Sequence, residues 1–338
     1  MIQKRAALWS AEEYTYPVIG NFVPFIMTYI HDEDDTERPA VVVVPGGAYC
    51  AVAPTEGEIV AKRFYDKGYN TFVVTYSTNL NMDTPLKFQP LKDISRAFVW
   101  VRKNAADLHV KTDAVAICGF SAGGHLSSSL CVHYDAPEIQ ETGEYAGINN
   151  RPDMAILSYP VITSGKFAHR DSFIALLGKD ASAEELEYMS SEKQVTENTP
   201  PAFIWTTFTD NDVPCENSFL YADALRKAGI PVELHVFGNG PHGMSLADDT
   251  WAYDGLKAYY CMEQMLEIFQ YMVDNGQPLP EPYNAAGPVP KGTDVKQMFG
   301  IMIEQNPQKV GEPDPAIAKW PDLADEWLKK QRAGIAIY

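Results

Sequence analysis

The stretch "AICGFSAGGHL", residues 116–126, constrains this chain more than any other. It sets Ser121 between Gly119 and Gly123, with Gly124 next, directly after an apolar run. Each interior glycine costs a helix or strand roughly 0.5–1 kcal/mol against alanine, so neither element explains the cluster. A strand that turns at once into a helix does explain it. Small neighbours let the turn close, and the serine stands at its apex above the carboxyl edge of a sheet. A serine N-cap in a glycine-rich turn fits the same local pattern. The rest of the chain separates the two readings.

That turn needs a strand before it and a helix after it, and the flanking segments supply both. "DAVAICGF" (113–120) reads as a strand and "SAGGHLSSSLCVHY" as the start of a helix. Five further strands are predicted, at 38–47, 69–78, 152–163, 200–210 and 231–238, most of them β-branched and apolar. Helices are predicted at 55–68, 90–108 and 216–229, the first with Thr55 and Glu58 as a capping box. Strands alternating with helices imply a doubly wound, mostly parallel sheet of the α/β class. The 338 residues, 46% of them hydrophobic, suffice for one such domain over 1–338.

Two segments break the rhythm. Residues 164–199 carry short helical pieces between two strands, where a small lid-like insertion would sit. Residues 250–313 form a second insertion before an amphipathic closing helix at 314–331, with Trp320 and Trp327 on one face. Within the second insertion, 251–275 is apolar over most of a helical circumference. Such a helix must be covered on more than one side, by the proline-rich run 276–313 or by a second subunit in a homodimer.

A net charge of −18 argues against nucleic acid as a partner, because phosphate binding needs clustered Lys and Arg. No stretch approaches the roughly 20 apolar residues of a membrane span. Five scattered cysteines with no CxxC pair fit free thiols, and no apolar leader opens the chain. The expectation is a cytoplasmic protein.

A serine at such a turn is a weak nucleophile until a base takes its proton and an acid orients the base. In strand–turn–helix folds of this kind the chain order is serine, acid, histidine. His242, in the glycine-rich "GNGPHGMSLA", follows the last predicted strand, where the base belongs. Of the other six histidines, His31 and His109 precede the turn and His133 and His235 lie within predicted elements. His125 reads as packing, and His169, in the lid segment, as a candidate substrate contact. "WTTFTDNDVP" offers Asp210 and Asp212 for the acid. Asp210 comes first after its strand, and Asp212 reads as an N-cap for the helix that follows. Backbone N–H donors for a developing oxyanion are expected at Ala122 and in "VPGGAY", at Gly47 and Ala48. Tyr49, Tyr76, Tyr159 and Trp205 fall near strand ends and are candidate substrate contacts. The chemistry calls for no metal and no cofactor.

On "VPGGAY", "TEGEIVAKRF", "GYNTFVVTYS", "GFSAGGHLSSSL", "SYPVIT", "TDNDVPCENSFLYADALRKAGIPVELHVF" and "HGMSLA", the chain resembles the α/β-hydrolase superfamily. Within it, the chain is similar to small esterases grouped with acetyl xylan esterases and other carbohydrate esterases. The resemblance covers about 39–247, with "AKWPDLADEWL" matching the closing helix. It implies a Ser121–Asp210–His242 esterase acting on short acyl esters, acetyl above all, of a small-molecule or oligosaccharide substrate. Ala48 stands where a third glycine is usual, and the 250–313 insertion has no counterpart. Amide hydrolases of the formamidase or small-peptidase type share the same turn. A non-catalytic binding protein on this scaffold would ordinarily have lost one of the three residues.

Overall fold

The computed structural model describes residues 1–280, 283–284, 287–305 and 309–334. Its centre is an eight-stranded sheet in the order β1-β2-β4-β3-β5-β6-β7-β8. The strands are β1 (Ile2–Ala7), β2 (Phe25–Ile30), β3 (Arg38–Val44), β4 (Asn70–Thr75), β5 (Val110–Phe120), β6 (Met154–Ser158), β7 (Ala202–Thr207) and β8 (Val232–Phe237). Strands β3 to β8 pair in parallel, and β1 and β2 form an antiparallel edge on β4. The six parallel strands are those the sequence predicts. The first two are additional; β1 is exposed along almost all of its length and carries no apolar run, whereas β2 is a short buried strand between β1 and β4.

Ten helices complete the described residues. They are α1 (Glu58–Tyr65), α2 (Gln89–Lys103), α3 (Ser121–His133), α4 (Arg170–Leu177), α5 (Ala183–Tyr188), α6 (Glu216–Lys227), α7 (Asp249–Asp254), α8 (Glu263–Asp274), α9 (Val295–Gln305) and α10 (Trp320–Arg332). All thirteen residues of α3 are buried, as a helix inside a doubly wound fold must be. Trp320 of α10 is fully buried and stacks on Trp205 of β7, ring centroids 5.4 Å apart.

Register brings the strand ends together. Val44 pairs with Gly119, Phe120 with Ser158, Ser158 with Trp205, and Thr207 with Phe237. The loops after β3, β5, β6, β7 and β8 therefore leave the sheet along one carboxyl edge. That edge is where ligand sites form in open α/β sheets.

Three predicted local features differ. The capping box at Thr55 and Glu58 does not form. Residues 54–56 make a single tight turn, α1 starts at Glu58 without a side-chain cap, and the Glu58 carboxylate bonds Tyr29 and Lys62 instead. Asp212 is not an N-cap either, since α6 starts four residues later behind Cys215. The predicted helix at 251–275 is split into α7 and α8 by Gly255 and a tight turn at Tyr259–Met262. The split follows from two separate cores. Trp251, Ala252 and Cys261 pack on the main core, whereas Met265, Leu266, Phe269 and Val273 form a second cluster with Leu279, Val295 and Phe299. The chain's own α9 thus covers α8. Residues 281–282, 285–286 and 306–308 of the second insertion lie outside the described residues.

The first insertion is tied down on α3. His125 Nε2–H donates to Met189 O at 2.7 Å, Ser128 and Ser191 share a bond of 2.8 Å, and His133 Nε2 meets Tyr188 O at 3.0 Å.

Candidate active site

The turn at Ser121 is built by close approach. A Cβ on Gly119 would sit 2.2 Å from Ser127 Oγ, and one on Gly123 would sit 2.2 Å from the Val44 carbonyl oxygen. Neither position tolerates a side chain without moving β5, β3 or α3. Phe120 is extended, and Ser121 then turns to φ 51°. That left-handed conformation costs a non-glycine residue roughly 1–2 kcal/mol. It lifts Oγ out of the helix toward the sheet edge.

Ser121 Oγ–H donates to His242 Nε2 at 2.8 Å, and His242 Nδ1–H donates to Asp210 Oδ2 at 2.7 Å. The second oxygen of Asp210 accepts the backbone N–H groups of Asp212 (3.0 Å) and Val213 (2.9 Å). Asp210 is therefore clamped by its own turn, with its side chain 1% exposed. Asp212 contributes a backbone bond and a distant charge.

Electrostatics favour a usable base. Burial pulls the His242 imidazole down. The hydrogen bond and charge of Asp210, backed by Glu56 and Asp212, more than offset it and leave its pKa above the usual value. His125 takes the opposite course. Burial drops it to about 4, so it stays neutral, accepting from the Tyr49 hydroxyl at 2.7 Å while donating to Met189 O.

The loop after β3 runs through Gly47 (φ 120°), Ala48 (φ 57°) and Tyr49 (φ 60°). Among the described residues the N–H groups of Gly47 and Ala48 have no acceptor. Ala122 is the second residue of α3, so its N–H is one of the four left unpaired at a helix start. Alanine at 48 holds the left-handed conformation that a glycine would take freely. These are the donor positions an oxyanion would require.

The four predicted substrate contacts are not at a surface. Tyr49, Tyr76, Tyr159 and Trp205 are all at most 2% exposed. Their hydroxyls point inward: Tyr49 to His125, Tyr76 to Pro45 O and Tyr159 to Glu56. Position near a strand end did not separate core aromatics from lining ones. His169 is half-buried, bonds Ser172, and lies close enough to His242 and Asp210 for their charges to reach it. Glu56 was missed. It looks like the first residue of an acidic helix start, and only the fold turns it inward. Among the described residues no cluster of His, Cys, Asp and Glu could hold a metal, and no helix is long and apolar enough to cross a membrane.

The fold and this site define an α/β hydrolase. The chain belongs to the BD-FAE family, which matches over residues 27–225. It is 46% identical over 263 residues to endo-1,4-beta-xylanase B of Butyrivibrio fibrisolvens, covering 78% of this chain and 41% of that protein. It is 32% identical to the acetylxylan esterase of Xylanibacter ruminicola, over 63% of this chain and 42% of that one. The chain thus spans about two fifths of the length of these curated relatives. The crystal structure of an acetyl ester-xyloside bifunctional hydrolase from Caldicellulosiruptor lactoaceticus superposes with a TM-score of 0.68 at 35% identity, over 79% of this chain and 96% of the other. The chain groups with the α/β-hydrolase esterases of acetyl xylan esterase type.

Proposed function

We propose that this chain is a serine esterase that removes short acyl groups, acetyl first, from carbohydrate esters through an acyl-enzyme. The observation that carries the reading is the unbroken line from Ser121 through His242 to Asp210, at 2.8 and 2.7 Å. His242 takes the Ser121 proton as Oγ attacks the ester carbonyl. Asp210 holds the imidazole in the tautomer that leaves Nε2 free to accept. The N–H groups of Gly47, Ala48 and Ala122 receive the oxyanion. The alcohol leaves with the proton from His242, and water repeats the steps to release the acid. The carbohydrate part of the reading is supported by the xylan-related names of the relatives. Five unpaired cysteines support action in a reducing, cytoplasmic setting.

The test is a panel of acetyl to decanoyl esters, on aryl alcohols and on acetylated xylo-oligosaccharides, with N-formyl and aminoacyl amides alongside. Acetyl esters should be the fastest, and acetylated sugars should be turned over. Faster hydrolysis of decanoyl esters, or of the amides, would overturn the reading.

A further inference from the structure

Behind the three residues of the line lies a fourth ionisable side chain. Glu56 is 4% exposed and sits in the tight turn before α1. Its Oε2 accepts the Gly46 N–H at 2.7 Å, one residue before the first oxyanion donor. Its Oε1 accepts the Tyr159 hydroxyl at 2.7 Å. That phenol oxygen in turn accepts the Ser245 N–H at 3.0 Å, three residues after His242. The Tyr159 ring also lies edge-on to the His242 imidazole, centroids 4.9 Å apart. One carboxylate therefore joins the loop after β3, the end of β6 and the loop that carries the base.

Taking the site as the esterase site proposed above, we propose that Glu56 is its positioning residue. Its carboxylate locks the oxyanion loop to the histidine loop through Tyr159, and its charge steadies the imidazolium that forms during attack. Burial raises its pKa, and the donors that meet both of its oxygens, from Tyr159 and Gly46, together with the His242 charge oppose that rise. Glutamine fills the same space but has one acceptor oxygen. Whichever way the amide faces, either the Gly46 N–H or the Tyr159 hydroxyl meets an NH2 group. The charges around His242 are Asp210 and Asp212 after β7, Glu56 before α1, and His169 before α4. The Glu56 charge also reaches the buried Tyr76 phenol and Cys118 thiol. Only the Glu56 charge is lost in Glu56→Gln.

The experiment compares wild type, Ser121→Ala and Glu56→Gln on an acetyl ester across pH. Glu56→Gln should lower kcat about 10- to 100-fold through misplacement of the two loops, with KM changed less than about threefold. The acid limb of its kcat/KM profile should move to lower pH, because a charge that favoured imidazolium is gone. A purely structural role would not move that limb. Activity within twofold of wild type, or an unmoved limb, overturns the proposal. Should Glu56→Gln fail to fold, Tyr159→Phe tests the same tie by removing one oxygen. A kcat loss of about tenfold or more is expected, and a value within twofold of wild type overturns the proposal. If the wild type hydrolyses no ester, the esterase reading falls and this inference with it. If wild type is active, Ser121→Ala is silent and Glu56→Gln matches wild type, this inference alone falls.

Discussion

Gly123→Ala tests whether the glycines around Ser121 serve the site or only the turn. The new Cβ would stand 2.2 Å from Val44 O and 2.4 Å from Pro45 O. Both are backbone atoms, one closing β3 and the other opening the oxyanion loop, so no side chain can swing away. Ordinary contact lies near 3.5 Å, so α3 and that loop must part by roughly 1 Å. Overpacking of this kind costs about 1–3 kcal/mol. At roughly 1–2 °C per kcal/mol for a chain of this length, Tm should fall by a few degrees in a thermal melt. The same displacement separates the Ser121 oxygen from the Gly47 and Ala48 amides. A misplacement near 1 Å costs about 10²-fold in rate, so kcat on an acetyl ester should fall about that far while the fold persists. Gly238→Ala is the control, since a Cβ there meets nothing within 4 Å and the backbone is not left-handed. It should match wild type in both assays. Gly123→Ala with kcat within twofold of wild type would refute the reasoning.

Other outcomes follow from the same geometry. Asp210→Asn removes the acceptor that sets the His242 tautomer and should cost about 10⁴-fold in kcat, whereas Asp212→Asn keeps its backbone bond to Asp210 and should cost far less. The kcat/KM profile of wild type should rise with pH through an acid limb above the ordinary imidazole pKa of about 6.5, because the base must be neutral and its pKa is raised. An acid limb below that value would contradict the assignment of His242. Dialysis against EDTA should leave turnover unchanged, and a loss restored by a divalent cation would mean a metal takes part. Phe269→Ala opens the α8–α9 cluster, where Phe269 is fully buried between Tyr283 and Phe299, and should cost about 3–5 kcal/mol by denaturant titration.

The parallel sheet and the line of three residues were legible because each leaves a local mark. Continuous β-branched runs mark buried strands, and Gly119 and Gly123 mark a turn that cannot hold a side chain. His242 and Asp210 were found by chain order after predicted strands. What failed depends on contacts between distant segments. β1 pairs with β2 and β2 with β4, and "IQKRAA" shows no apolar face because β1 is an exposed edge. Tyr49, Tyr76, Tyr159 and Trp205 lie near strand ends as lining residues do, yet all four are buried and the three tyrosine hydroxyls meet partners from elsewhere in the chain. Glu56 carries no local sign of burial, since its partners, Gly46 and Tyr159, are 10 and 103 residues away. The break between α7 and α8 reflects which of two cores each half joins, a choice that helical periodicity does not record.

The central claim is that Ser121 is the nucleophile, activated by His242. The most direct measurement is the intact mass and peptide map of the protein after an aryl fluorophosphonate. The P–F bond breaks as an Oγ–P bond forms, fluoride departs, and the serine proton passes to His242. One adduct per chain, on the peptide containing Ser121, absent from Ser121→Ala and formed orders of magnitude more slowly in His242→Ala, is the predicted result. No adduct, or an adduct on another residue while esterase activity is lost, would contradict it.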